Sequence, residues 1–262
     1  GDDQVTLTAR AVFNGTIDFG DGDDTLIIDV ADGDTKNIDR IAFDPFNNLE
    51  TFEKFGAGSV FIDAGVTATA TDSFIRAGLF QVDGVYNSNV FIDAAAALQG
   101  TGQIGGDATV SGIYSAGVGL GQFTIDGDLT LDGSSVFVVD LNLDDADLTF
   151  VGGAATFQDG ILVVMPDGEV VSADGLPFRH EVVRTQDGVT ENFSDIDTGG
   201  IGRALVFVEG NSLFIEVIPQ VGDGEVYTAA PAIHTTSALT VIDALNGQLV
   251  DRRGVELSLI HI

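Results

Sequence analysis

Short apolar blocks bounded by glycine and aspartate run the length of the chain, and they come in two kinds. Gln122-Phe-Thr-Ile125 and Asp128-Leu-Thr-Leu131 alternate apolar with polar residues, as strands with one buried face do. Ser135-Val-Phe-Val-Val139 and Gly160-Ile-Leu-Val-Val-Met165 are continuous apolar runs instead, the pattern of strands covered on both sides. The blocks also repeat. Gly106-Asp-Ala-Thr-Val-Ser-Gly112 is echoed by Gly127-Asp-Leu-Thr-Leu-Asp-Gly133 and, more loosely, by Gly153-Ala-Ala-Thr-Phe-Gln-Asp-Gly160. Val60-Phe-Ile-Asp-Ala64 recurs as Val90-Phe-Ile-Asp-Ala94. Short strands returning every ~20–30 residues are the signature of stacked rungs in a solenoid.

This spacing, with few Asn-Gly hairpin signals, predicts an all-β chain coiled as a right-handed parallel β-helix over residues 1–218. A sandwich or jelly roll would use similar strands with more tight hairpins. After Pro219 the pattern changes. Residues 220–233 read as a linker, and Thr235 to Val250 reads as a short C-terminal α-helix with Leu239, Ile242, Leu245 and Leu249 on one face. Thr235, Thr236 and Ser237 can cap its start, and Arg252 and Arg253 suit its C-terminal end.

Composition narrows the function. Gly 34 against Pro 5 suits many tight corners rather than a disordered chain. Lys+Arg 10 against Asp+Glu 41 gives a formal charge of -31. Such a surface repels phosphate backbones, so no nucleic-acid partner is expected. With Cys 0 there is no disulfide, thiolate metal site or cysteine nucleophile. The chain opens in what reads as the middle of a motif, so both ends are expected to be cuts in a longer protein.

Several consecutive segments resemble one family, the autotransporters of type V secretion. Leu49-Glu-Thr-Phe-Glu-Lys-Phe-Gly-Ala-Gly-Ser-Val-Phe-Ile62 is similar to a passenger rung of that family. Leu98-Gln-Gly-Thr-Gly-Gln-Ile-Gly-Gly-Asp-Ala-Thr-Val110 and residues 122–138 resemble those that follow. Phe178 to Phe193 and Asn211-Ser-Leu-Phe-Ile-Glu-Val217 resemble the closing, autochaperone-like rungs. One departure is visible: Ser115-Ala-Gly117-Val-Gly119 stands where the family commonly has Pro-Gly-Asn-Ser.

The resemblance implies a secreted or surface-displayed passenger, a stalk and folding template with a possible adhesive role, outside the bacterial cell. Residues 125–218 would be its autochaperone-like part, and 219–256 the linker and pore-threading helix. Its partners would be its own C-terminal outer-membrane β-barrel, the outer-membrane assembly machinery and a host or surface ligand. The closing Leu257-Ser-Leu-Ile-His-Ile262 resembles a translated sequencing adapter.

The residues suggest no catalytic set and no cofactor. Gly20-Asp-Gly-Asp-Asp-Thr-Leu26 resembles one unit of a calcium-binding β-roll, which makes Asp21, Asp23 and Asp24 calcium candidates. Such sites form between stacked copies, and only Gly1-Asp-Asp-Gln-Val5 offers a partial second one, so a polar rung corner is the favoured reading. The histidines, His180 among them, form no triad by spacing. Of the lysines, Lys36 and Lys54, the second belongs to a rung motif. Two rivals to the structural reading are a polysaccharide lyase or hydrolase on the same fold, and a calcium-dependent β-roll or surface-layer protein.

Overall fold

The computed structural model describes residues 1–11, 16–38, 46–170 and 175–219. The predicted helix Thr235 to Val250, the linker before it and the 257–262 tail lie outside these described residues.

The chain is a parallel β-helix. It coils through β1 (Gln4–Thr8) and β2 (Ile17–Asp18), then β3 (Thr25–Asp29), β4 (Thr35–Ile38) and β5 (Phe46–Asn47). Next come β6 (Thr51–Phe55), β7 (Ser59–Ile62), β8 (Thr67–Ile75), β9 (Gly78–Val82), β10 (Val85–Ile92), β11 (Ala96–Gln99) and β12 (Gln103–Ile104). The following turns are β13 (Ala108–Val110), β14 (Ile113–Ser115), β15 (Gln122–Ile125), β16 (Leu129–Leu131), β17 (Val136–Leu141) and β18 (Leu148–Val151). The last are β19 (Ala155–Phe157), β20 (Ile161–Pro166), β21 (Phe178–Thr185), β22 (Val189–Thr190), β23 (Asp195–Asp197), β24 (Gly202–Glu209) and β25 (Ser212–Pro219).

Strands of successive turns pair in parallel and build a 15-stranded sheet and an 8-stranded sheet, here the first and second sheets. The 21-residue echo is a stacking repeat. Thr109 pairs with Thr130 and Val110 with Leu131 in parallel register, and Thr156 and Phe157 extend the same two columns. The Val-Phe-Ile-Asp-Ala echo is different. Its copies lie in β7 of the second sheet and β10 of the first, so they do not stack. What they share is local: a strand running into a tight turn, in which Val66 N–H donates to Asp63 O and Ala96 N–H to Asp93 O.

The two sequence patterns separate by sheet. Alternating strands such as β15 and β16 belong to the first, with one face inward. The runs in β17 and β20 belong to the second, where β7 and β11 are buried along both faces. Inside the coil, aromatic rings form two clusters. Phe52, Phe80 and Tyr86 make the first, with centroids 5.3–6.2 Å apart. Tyr114, Phe137, Phe157 and Phe193 make the second, with successive centroids 5.7, 5.3 and 5.0 Å apart. Between them lies a waist of smaller residues, Ala96, Leu98, Ile104, Ala108 and Val110.

The closing segment departs from the parallel coil. β24 and β25 form an antiparallel hairpin, and β25 pairs antiparallel with β21. The hairpin covers the β21 edge, which would otherwise offer unpaired backbone groups to another chain. Alternation in β25 turns Leu213, Ile215 and Val217 inward. Phe214 faces outward, with the Arg179 guanidinium 4.2 Å from its ring centre. Phe214→Ala should therefore cost well under half of what Ile215→Ala costs, by denaturant unfolding. Equal losses would contradict the assigned register.

Candidate functional site

The calcium candidates stand at the corner leading into β3. Register stacks Gly1 to Gln4 on Gly22 to Thr25, so the partial second copy does lie on the first. Of the three candidates, Asp24 has a carboxylate engaged with backbone, through Oδ1, while its Oδ2 is buried without a hydrogen-bond partner. Asp2 Oδ1 accepts from Asp23 N–H at 3.2 Å, Asp24 Oδ1 from Asp3 N–H at 2.6 Å, and Glu50 Oε2 from Asp24 N–H at 2.9 Å. Asp21 and Asp23 are exposed while Asp24 is fully buried, so the three do not share one environment. Among the described residues no three carboxylate or imidazole groups converge as metal ligands.

The same device recurs further along. Asp107 N–H donates to Asn89, Asp128 N–H to Asp107, and Ala154 N–H to Asp128, each from one turn to the next. Aspartate and asparagine side chains at the corners thus supply acceptors for backbone donors that the parallel ladder leaves unpaired at a bend. With a charge of -31, sodium chloride is expected to raise the melting temperature by screening. Calcium at matched ionic strength is expected to add little. A much larger calcium shift would mean that the Asp24 corner holds the ion.

A more unusual acidic corner joins the loop after β14 to the bends after β17 and β20. Asp147 is 1% exposed. Its Oδ1 accepts from Gly121 N–H at 2.8 Å and its Oδ2 from Asp140 N–H at 2.9 Å. Asp167 Oδ2 accepts from Leu120 N–H at 3.1 Å. The glycine-rich stretch Ser115-Ala-Gly117-Val-Gly119 lies here. Gly117 has φ +137°, and a Cβ on it would sit 2.5 Å from Gly119 O, so the loop needs glycine. His180 lies beside the same bend, its Nε2 2.9 Å from Asn142 O and its ring edge-on to Phe178.

Burial pushes the Asp147 carboxyl up to about 8, and the Asp140 charge adds to the effect, while the two backbone N–H groups oppose it. The folded chain therefore holds a proton that the unfolded chain releases above about pH 4. Between pH 4 and 8 this group's contribution to stability falls as pH rises. Acidifying from pH 8 to pH 5 should gain more than about 1 kcal/mol, since each tenfold difference in proton affinity is worth ~1.4 kcal/mol. Asp147→Asn should flatten that slope in denaturant titrations. An unchanged slope would remove Asp147 as its source.

The two buried lysines are also structural. Lys36 donates to Ala11 O. Lys54 is fully buried in the rung motif, and its Nζ donates to Gly56 O at 2.8 Å, Gly58 O at 2.6 Å and Ala77 O at 2.5 Å. These groups pin one turn of the coil to the next. Sequence reasoning missed Asp147 and Asp167 because acidic residues are abundant. Their 20-residue separation gave no signal either, since ladder partners in this part of the coil lie 25 or 26 residues apart, as Leu141 and Pro166 or Gln122 and Leu148 do.

Comparison with known proteins finds no matching protein family and no matching curated protein.

Proposed function

We propose that the chain is the structural passenger of a bacterial autotransporter, a secreted or surface-displayed stalk that templates its own folding. The observation that carries this reading is the combination of a continuous coil interior with an antiparallel closing hairpin directly after its aromatic-rich turns. A β-helix adds turns one at a time against an existing edge, so a well-packed, closed C-terminal end can serve as the template. An elongated coil held by local contacts also suits a chain that crosses a membrane unfolded and refolds outside without an energy source. Its partners on this reading are a C-terminal outer-membrane barrel and the machinery that inserts it. The engaged corner carboxylates and lysines support a structural role over polysaccharide cleavage.

The test is display. Residues 1–256 are placed ahead of an autotransporter barrel in place of that protein's own passenger. Intact cells should expose the chain to added protease and leave a resistant fragment covering residues 125–218. Retention in the periplasm, or digestion that spares only the N-terminal half, would overturn the reading.

A further inference from the structure

The closing hairpin moves the edge of the first sheet from β21 to β24. β24 stands last in that sheet, bonded to β25 on one side, and no described strand pairs with its other side. It runs from Gly202 to Glu209 without a bulge. Between Arg203 and Glu209 it reads Ala-Leu-Val-Phe-Val, with no proline and no charge. Those are the devices that normally blunt an edge strand against pairing with another chain. Val208, at the apolar end of this run, is 43% exposed.

The backbone groups on the open side follow from the hairpin. The chain turns through Gly210 and Asn211 alone, so Glu209 and Ser212 close the hairpin as a hydrogen-bonded pair. Such pairs recur at every second residue of an antiparallel ladder. Arg203, Leu205, Phe207 and Glu209 therefore bond to β25, and the N–H and C=O groups of Ala204, Val206 and Val208 point to the open side. Side chains divide the same way. Ala204 and Val206 pack toward the coil interior. Leu205 and Phe207 lie on the outer face, where the Arg179 guanidinium sits 5.0 Å from the Phe207 ring centre.

We propose that β24 is a dimerisation edge, pairing antiparallel with β24 of a second copy about a twofold axis at Val206. In this register Val206 bonds to Val206 of the second copy and Ala204 to its Val208, so every outward-pointing group of the run is used. Leu205 faces Phe207 across the seam, apolar against apolar. The charges select the same register, since Arg203 falls opposite Glu209 at both ends. Arg203 is exposed and has no ion-pair partner among the described residues. The Glu209 side chain reaches Arg179 at 2.9 Å but stays 60% exposed, open to a second cation. One patch thus carries both halves of the match, as a twofold contact requires. Two copies of formal charge -31 otherwise repel, which makes these matched ends the natural selector of partner and register. The pairing does not depend on the passenger reading, under which it joins two displayed copies through their closing hairpins.

Sedimentation equilibrium of the full chain tests this, in ~0.15 M salt so that repulsion is screened beyond ~8 Å. A monomer–dimer equilibrium is expected. Val206→Pro removes a donor that points away from β25, so it should abolish the dimer and keep the far-ultraviolet β signal. Arg203→Glu and Glu209→Arg each put like charges at both ends of the seam, and each alone should weaken dimerisation more than about tenfold. Mixed one to one, the two variants face each other with opposite charges at both ends and should regain the wild-type affinity. A chain that stays monomeric at every concentration would overturn the proposal. So would a dimer that survives Val206→Pro, single charge variants that dimerise like the wild type, or a mixture no tighter than its components. Failure of surface display would not bear on it.

Discussion

Phe137→Ala is expected to be the most damaging single substitution in the coil. Phe137 is 1% exposed and stacks on Tyr114 and Phe157, with Phe193 at 6.4 Å, so these rings tie together four successive turns. Removing a buried phenylalanine typically costs ~3–5 kcal/mol, and the upper part of that range applies here. Parallel strands on fixed register cannot close a cavity by moving toward it without breaking their ladders. The loss should also be asymmetric. If the turns after residue 125 act as the template, Phe137→Ala should slow refolding of the whole coil, whereas Phe80→Ala in the upstream aromatic cluster should mainly speed unfolding. Stopped-flow refolding of the two variants tests this. A refolding rate lowered more by Phe80→Ala would place the template upstream of the small-residue waist.

The upstream aromatic cluster was not legible in the sequence. Counting apolar runs misses Phe52, Phe80 and Tyr86 because they lie in strands shared with polar and small residues, and only the coil brings them to one level. The coil itself was legible, because the same short strand-and-corner motif returns at each turn even though the turns differ in length. Thr109, Thr130 and Thr156 line up since each turn must return the same residue to the same column. The contrast between alternating and continuous apolar runs was legible too, although its meaning was only half read. The continuous runs mark a sheet buried on two sides. Facing within the last hairpin was lost, because a run such as Leu213-Phe-Ile does not say which of its residues turn inward. The acidic corners were lost for a different reason. In a chain so rich in aspartate, the few carboxylates that latch turns look like the many that only solvate them.

Lys54→Met is expected to cost ~3 kcal/mol, although methionine matches the length of much of the side chain. The ammonium is fully buried, and its three hydrogens go to the carbonyls of Gly56, Gly58 and Ala77. Methionine leaves all three acceptors without that donor, and each buried group left unsatisfied costs ~1–3 kcal/mol. The site admits no larger neighbour, since a Cβ on Gly78, which has φ +72°, would lie 2.6 Å from Nζ and 2.4 Å from Gly58 O. Burial lowers the Lys54 pKa to about 8, partly offset by the Asp29 charge. At neutral pH the group is thus mainly protonated and its cage fully used. The lowered value also fixes a pH signature. Between about pH 8 and 10 the unfolded chain keeps a proton on Lys54 that the folded chain releases, so this group's contribution to stability rises with pH. The gain is ~2 kcal/mol, at ~1.4 kcal/mol for each tenfold difference in proton affinity. It is opposite in sign to the Asp147 effect and lies in a higher window, so the two can be read separately on one pH series. Urea unfolding of the wild type and Lys54→Met across pH 7 to 10 should give curves that diverge as pH rises. Parallel curves would mean that the ammonium keeps its ordinary affinity for a proton, and that the carbonyl cage fully compensates its burial.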